Sequence, residues 1–390
     1  MAHELLYGAS FTKGALSFTD KQGRTICNAD LWNFLTLTAT ADNSSVKLTK
    51  VGTLDNTFEV NVGNGWKYYA FDTVIPLKAG ESCKWRCSAR PTMQSATSYV
   101  KFVMTGTIEA SGNCNSMLSS YFENLTSLSE NDYAFFRLFI DCTSLTKAPI
   151  LPATTLAPGC YSCMFYGCTS LVSAPELPAT VLSSSCYYSM FYGCTSLVSA
   201  PELPATYLDG NCCAYMFYGC TSLAQAPKLP AITLTTYCYS SMFRNCTSLT
   251  RAPELPATNL ATSLAHHCYD SMFSGCTSLS QSPLLPATTL SNLCYYCMFK
   301  GCTSLTKAPW LPATTLTEGC YQSMFRGCSA LTEVHISATS THVEALLNWL
   351  SDVSPTGDFY CDPQSTIFPT GASGIPEGWT RLPLSDYPTT

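Results

Sequence analysis

Cysteine is the residue whose number and spacing first suggest chemistry, with 23 in a chain of 390. Fifteen fall into two registers. Cys142, Cys168, Cys194, Cys220, Cys246, Cys276, Cys302 and Cys328 form one, and Cys160, Cys186, Cys212, Cys238, Cys268, Cys294 and Cys320 stand eight residues before seven of them. Compact buried thiols are the main expectation, because a free cysteine behaves as a small hydrophobe. Disulfides between the registers are the alternative, and they need Cα atoms roughly 4.4–6.8 Å apart. Zinc is disfavoured: only Cys160/Cys163 and Cys294/Cys297 form C-x-x-C, with no second pair at finger spacing.

Two other groups could do chemistry. His266-His267-Cys268 reads as a metal trio only on paper, since adjacent side chains on a helix point apart. Glu176 and Glu202 lie one repeat apart, and carboxylates on neighbouring strands, roughly 5 Å apart, suit a retaining glycosidase. A charged ladder position is more often a solvated face. The five histidines, His3, His266, His267, His335 and His342, have no recurring acid or nucleophile partner. The expectation is no catalytic, cofactor-binding or metal residue.

What positions these residues is a repeat. The first cysteine register advances by 26 residues, with one 30-residue interval between Cys246 and Cys276. Its consensus is L-x-x-A-P-x-L-P-A-T-x-L-x-x-x-C-Y-x-x-M-F-x-G-C-T-S, so each unit supplies a short extended segment and a segment with helical spacing, as in Leu182, Cys186 and Met190. Neither half can bury itself alone, which makes the unit one turn of a solenoid. The prolines of Ala174-Pro175-Glu176-Leu177-Pro178 cannot donate to a ladder, so strands of two or three residues are expected. The expansion in residues 260–268 should bulge outward. The fold class is mainly β with short helices: a leucine-rich-repeat solenoid behind a small antiparallel β domain.

Residues 1–110 read as that domain, a sandwich-like unit for attachment, separable from the stack. Period-two alternation in Val46-Lys-Leu48, Phe58-Glu-Val60, Trp66-Lys-Tyr68 and Tyr99-Val-Lys-Phe102-Val-Met104 marks strands, and Asn64-Gly65 is the best hairpin turn. The first dozen residues, with Leu5, Leu6 and Phe11, are a first strand or else an arm. Residues 111–141 read as junction and cap, 142–336 as the solenoid, and 337–390 as a capping helix and irregular tail. Thr341-His-Val-Glu344 is a capping box ahead of Val343, Leu346, Leu347 and Leu350.

A formal charge of −6 with scattered Lys and Arg gives no footprint for nucleic acid. Only 12% of residues are charged, about half the usual share, so solubility rests on hydroxyls and amides. No stretch approaches the roughly 20 apolar residues of a membrane span. The N-terminal Met-Ala-His-Glu-Leu-Leu lacks the basic start and apolar core of a signal peptide.

The repeat resembles the treponemal and Bacteroidales surface-antigen class of leucine-rich repeats, whose pattern is A-F-x-G-C-x-x-L-x-x-I-x-I-P. Met164-Phe-Tyr-Gly-Cys168-Thr-Ser-Leu171 and Met298-Phe-Lys-Gly-Cys302-Thr-Ser-Leu305 carry the match, with Met for the Ala and A-P-x-L-P for I-x-I-P. That class implies cell-surface adhesion. The β-rich leader ending at Asn113 and the tail with Gly374-Ile-Pro-Glu-Gly-Trp379 also resemble virion proteins of bacteriophages that infect Bacteroidales. The implied function is a non-enzymatic virion structural protein, a head or tail fibre or decoration component. It would be assembled in the host cytoplasm, anchored to other virion proteins by its N-terminal domain and able to form a homo-oligomer. A bacterial surface adhesin is the alternative.

The candidate recognition surface is the register holding Tyr166, Tyr192, Tyr218 and Arg244, continued by Ser274, Lys300 and Arg326, with Trp310 as a separate anchor. Stacked tyrosines offer flat amphipathic faces and hydroxyls to a host glycan or protein. The Tyr161, Tyr187, Tyr239 register is expected to pack inside the stack instead.

Overall fold

The computed structural model describes residues 33–88, 94–119, 121–260 and 265–387, together with the backbone of three earlier strands. These are β1 (Ser10–Thr12), β2 (Ala15–Thr19) and β3 (Thr25–Cys27), an antiparallel meander. Phe11 falls in β1, whereas Leu5, Leu6, His3 and residues 261–264 of the long repeat lie outside the described residues.

Eight strands follow: β4 (Leu35–Ala39), β5 (Ser44–Val51), β6 (Phe58–Asn61), β7 (Trp66–Tyr69), β8 (Ile75–Leu77), β9 (Ser82–Cys87), β10 (Tyr99–Thr105) and β11 (Ile108–Ser111). Alternate side chains of β4, β5 and β9 are buried, as period two requires. The hairpin at Asn64-Gly65 is present. Asn61 pairs with Trp66, and its Oδ1 accepts from the N–H groups of Gly63 (2.8 Å) and Gly65 (3.2 Å). One sheet runs β10-β5-β8 and the other β11-β4-β9-β6-β7. Trp85 of β9 meets Phe102 of β10 edge-on at 5.2 Å between the two layers.

The repeats form a solenoid whose coils have three sides. On the first side β13 (Leu145–Lys147) leads into single parallel bridges, Lys147 to Ser173 to Ser199 to Gln225. On the second, β12 (Ser127–Leu128), β14 (Thr155–Leu156) and β15 (Val181–Leu182) pair in parallel. Proline-limited ladders of this length are what the sequence requires. Leu171, Leu197 and Leu223 are fully buried beneath the bridged residues. Phe139, Phe165, Phe191 and Phe217 stack face to face at 5.5–5.6 Å, and the file crosses the 30-residue interval without a break, Phe243 to Phe273 at 5.7 Å.

The third side departs from expectation. It is no helix but a ribbon of turns, in which N–H groups alternate between two kinds of partner. Met164 and Tyr166 donate three residues back, to Tyr161 and Cys163, whereas Cys163, Phe165 and Gly167 donate to Tyr188, Met190 and Tyr192 of the next coil. Every fourth residue has a left-handed φ: Ser185 (59°), Ser189 (52°) and Gly193 (70°). At the last of these positions every coil uses a residue tolerant of that conformation, Asp141, Gly167, Gly193, Gly219, Asn245, Gly275, Gly301, Gly327 or Asp352.

The ribbon also explains the cysteines. The carbonyl of Phe165 accepts the N–H of Cys168 and the thiol of Cys194, both at 3.1 Å, and the pattern repeats up the file to Cys328 on Phe299. Each thiol fills a small apolar site and occupies the second lone pair of a buried carbonyl. The cysteines of both registers are free and buried. Burial pushes the thiols up, to about 12 at Cys276, Cys320 and Cys328.

Both ends correct the expectations. The N-terminal sheets run on into the stack: β11 pairs in parallel with β13, Ile108 opposite Leu145, and Phe102 stacks on Phe139 at 5.3 Å as the first member of the phenylalanine file. At the other end, the segment expected as a capping helix is another ribbon, with left-handed Asn348 and Asp352. Leu346 and Leu350 are buried there, but Val343 and Leu347 face solvent. The tail continues the coils. After β16 (Thr315–Leu316), β17 (Glu333–His335) and β18 (Ser340–Thr341), strands β19 (Gly357–Cys361) and β20 (Trp379–Pro383) extend the first ladder in the order β17-β19-β20. Trp349 ends the aromatic file against Phe325 at 6.3 Å, its indole N–H on the Gly374 carbonyl at 2.9 Å.

Candidate functional site

The ribbon sorts its tyrosines by register. Residues following the first cysteine of each unit point inward: Tyr161, Tyr187, Tyr239, Tyr269, Tyr295 and Tyr321 are at most 2% exposed. Tyr161 and Tyr187 stack at 6.3 Å and Tyr269 and Tyr295 at 5.6 Å. This register packs inside the stack, and the hydroxyls of Tyr161, Tyr187 and Tyr269 have no hydrogen-bond partner there. Burial is the main cause that raises all three above the ordinary phenol range.

Residues before the turn glycine point outward. Tyr166, Tyr192 and Tyr218 are half-buried and stack at 4.6 and 4.5 Å, with interplanar angles of 7° and 5°. Their backbone is pinned beneath them, because Gly167 donates to the Tyr192 carbonyl at 2.8 Å and Gly193 to that of Tyr218 at 2.7 Å. Arg244 continues the file with its guanidinium 5.7 Å from the Tyr218 ring centroid, and Asn245 Nδ2 donates to the Tyr218 hydroxyl at 3.2 Å. Ser274 is buried, while Lys300 and Arg326 are exposed. Partial burial and the neighbouring Tyr218 raise the Tyr192 phenol above its ordinary range.

Such close stacking changes what the file presents. Both faces of Tyr192 and the facing sides of Tyr166 and Tyr218 are covered by neighbouring rings, so a ligand meets mainly a comb of edges and hydroxyls rather than flat platforms. Two residues missed by the register argument widen this patch. Tyr188 meets Tyr215 edge-on at 5.7 Å, and Tyr215 lies 6.2 Å from Tyr218. Neither belongs to a repeated tyrosine column, and the available signal was local: three tyrosines within residues 187–192 and a Tyr215/Tyr218 pair three apart on the ribbon.

Trp310 is 54% exposed and lies on another side of the coil. Its indole N–H donates to Ser337 Oγ at 3.1 Å, and its ring stacks on His335 at 5.5 Å. The structure therefore separates it from the tyrosine comb. Glu176 and Glu202 are exposed and flank a shallow groove of ≈ 230 Å³ lined otherwise by Ala174, Leu177 and prolines, with no further polar side chain converging on them. His267 pairs with Asp270 at 2.9 Å and stacks on Tyr237 at 4.5 Å, while Cys268 faces the core. Among the described residues no three His, Cys, Asp or Glu side chains gather as a metal set, and no helix is long and apolar enough to cross a membrane.

No curated protein and no solved structure matches the chain. The model of the BspA type leucine rich repeat region matches residues 136–269 and 252–347, in six copies. Those residues are the coils that carry the phenylalanine file, the thiol-capped carbonyls and the tyrosine comb, and they make up more than half of the sequence. The chain belongs to the BspA-type leucine-rich repeat family.

Proposed function

We propose that the protein is a non-enzymatic adhesion protein, a rod whose ribbon face recognises a host surface, glycan or protein. The observation that carries the reading is the patch of Tyr166, Tyr188, Tyr192, Tyr215 and Tyr218 on three consecutive coils. Tyrosine supplies contact area and hydroxyls at low entropy cost. The hydrogen-bonded ribbon beneath holds these rings in register before any ligand arrives, which reduces the ordering cost of binding.

The finer assignment is a virion fibre or decoration component that meets other virion proteins through residues 1–110. Its support is the asymmetry of the rod, a sandwich at one end and coils throughout the rest, with the likeness of leader and tail to phage proteins. A bacterial surface adhesin is the second reading, and membership of the BspA-type family favours it. Antibody labelling of particles and of cell envelopes separates the two. For the surface itself, replacing Tyr192 and Tyr218 with Ser should reduce attachment to host cells while leaving the melting temperature nearly unchanged, because both rings are partly solvated. Undiminished attachment removes the comb as the recognition surface.

A further inference from the structure

We infer that the ligand of this face is an anionic polysaccharide lying along the axis of the stack; the inference rests on the comb being the recognition surface. A single register passes from Tyr166, Tyr192 and Tyr218 to Arg244, Lys300 and Arg326, from hydroxyls to cations. The chain as a whole carries −6, so a file with three cations stands against its background.

Acidic neighbours leave that charge largely available. Asp270 accepts hydrogen bonds on its own ribbon, paired with His267 at 2.9 Å and with Ser271 Oγ at 2.7 Å. Asp352 faces Arg326 at 3.8 Å with both side chains about half exposed or more, a pairing that water screens. Asp141 sits at the far, tyrosine end. Lys307, on the adjoining side, is held by Glu333 at 2.9 Å and adds nothing.

Hydrogen bonding points the same way. The Tyr218 hydroxyl accepts from Asn245 at 3.2 Å, beside the Arg244 guanidinium. Phenol donors beside a guanidinium suit carboxylate or sulfate oxygens, which accept charge-assisted bonds.

Spacing selects a saccharide over a peptide. Rings recur every 4.5–4.6 Å, one per coil. An extended peptide repeats a face only every ~7 Å and falls out of step within two coils. An extended pyranose chain offers polar groups once per sugar, close to one coil.

The test uses the full chain with polygalacturonate, its fully methyl-esterified form and polyglutamate, measured by biolayer interferometry at about 50 and 300 mM salt. Polygalacturonate should bind, with about tenfold weakening in the ester, in high salt and in the Arg244→Gln/Lys300→Gln/Arg326→Gln variant, whose circular dichroism should be unchanged. Equal binding of the neutral ester, with loss only in Tyr192→Ser/Tyr218→Ser, overturns the anionic ligand and leaves the comb as the surface. Polyglutamate binding as tightly as polygalacturonate overturns the saccharide. No binding of polygalacturonate, or binding indifferent to both variants, overturns the inference, and indifference of host attachment to the tyrosine variant removes the surface as well.

Discussion

Raising the pH from 7 to 10 should unfold this protein over a narrow interval, because its core is built on thiols that cannot ionise in place. An unfolded thiol titrates near 9.0, whereas burial pushes Cys83, Cys160, Cys276, Cys320 and Cys328 to about 12 and the remaining thiols of both registers upward. A folded-state pKa raised above the unfolded one contributes stability that is complete only well below pH 9, near pH 7, and is lost as pH climbs through 9 toward the folded value. At pH 9 half of each unfolded thiol is ionised, a twofold shift of the unfolding equilibrium per group. Roughly twenty such thiols compound to about 10⁶-fold, on the order of 8 kcal/mol. That is comparable with the 5–15 kcal/mol typical of a whole domain, and the buried tyrosines extend the loss above pH 10. Urea denaturation followed by circular dichroism at several pH values, under reductant, measures the effect. A chromogenic thiol reagent at pH 8 should leave the buried thiols silent until urea is added and then titrate all 23 cysteines. A urea midpoint that is flat between pH 7 and 9.5, or prompt native labelling of the two cysteine registers, would refute the reasoning.

Leu223 is fully buried in a central coil, so Leu223→Ala should cost about 2–5 kcal/mol by urea denaturation. Tyr187→Phe should stabilise by about 1 kcal/mol, since it deletes a buried hydroxyl without a partner, and destabilisation would show that the hydroxyl is satisfied. Removing residues 1–110 should expose Phe139 and Leu145 and give an aggregating or frayed product in size-exclusion chromatography; a stable monomeric stack would count against the fusion of β11 with β13.

The 26-residue period decided a great deal unaided. Like side chains had to lie over one another, so the leucine, phenylalanine and cysteine files and the inward Tyr161 register could be read from spacing alone, as could the N-terminal hairpin from Asn64-Gly65. The ribbon could not. Apolar residues four apart fit an α-helix and equally a chain with a left-handed residue at every fourth position, and the choice depends on where alternate N–H groups find acceptors. Those acceptors lie 25 residues away, in the next coil. The same non-local pairing joined β11 to β13, kept the tail in the stack through β19 and β20, and brought Tyr188 and Tyr215 beside the comb. Sequence fixes which residues share a register; hydrogen bonds between coils determine which way each register faces.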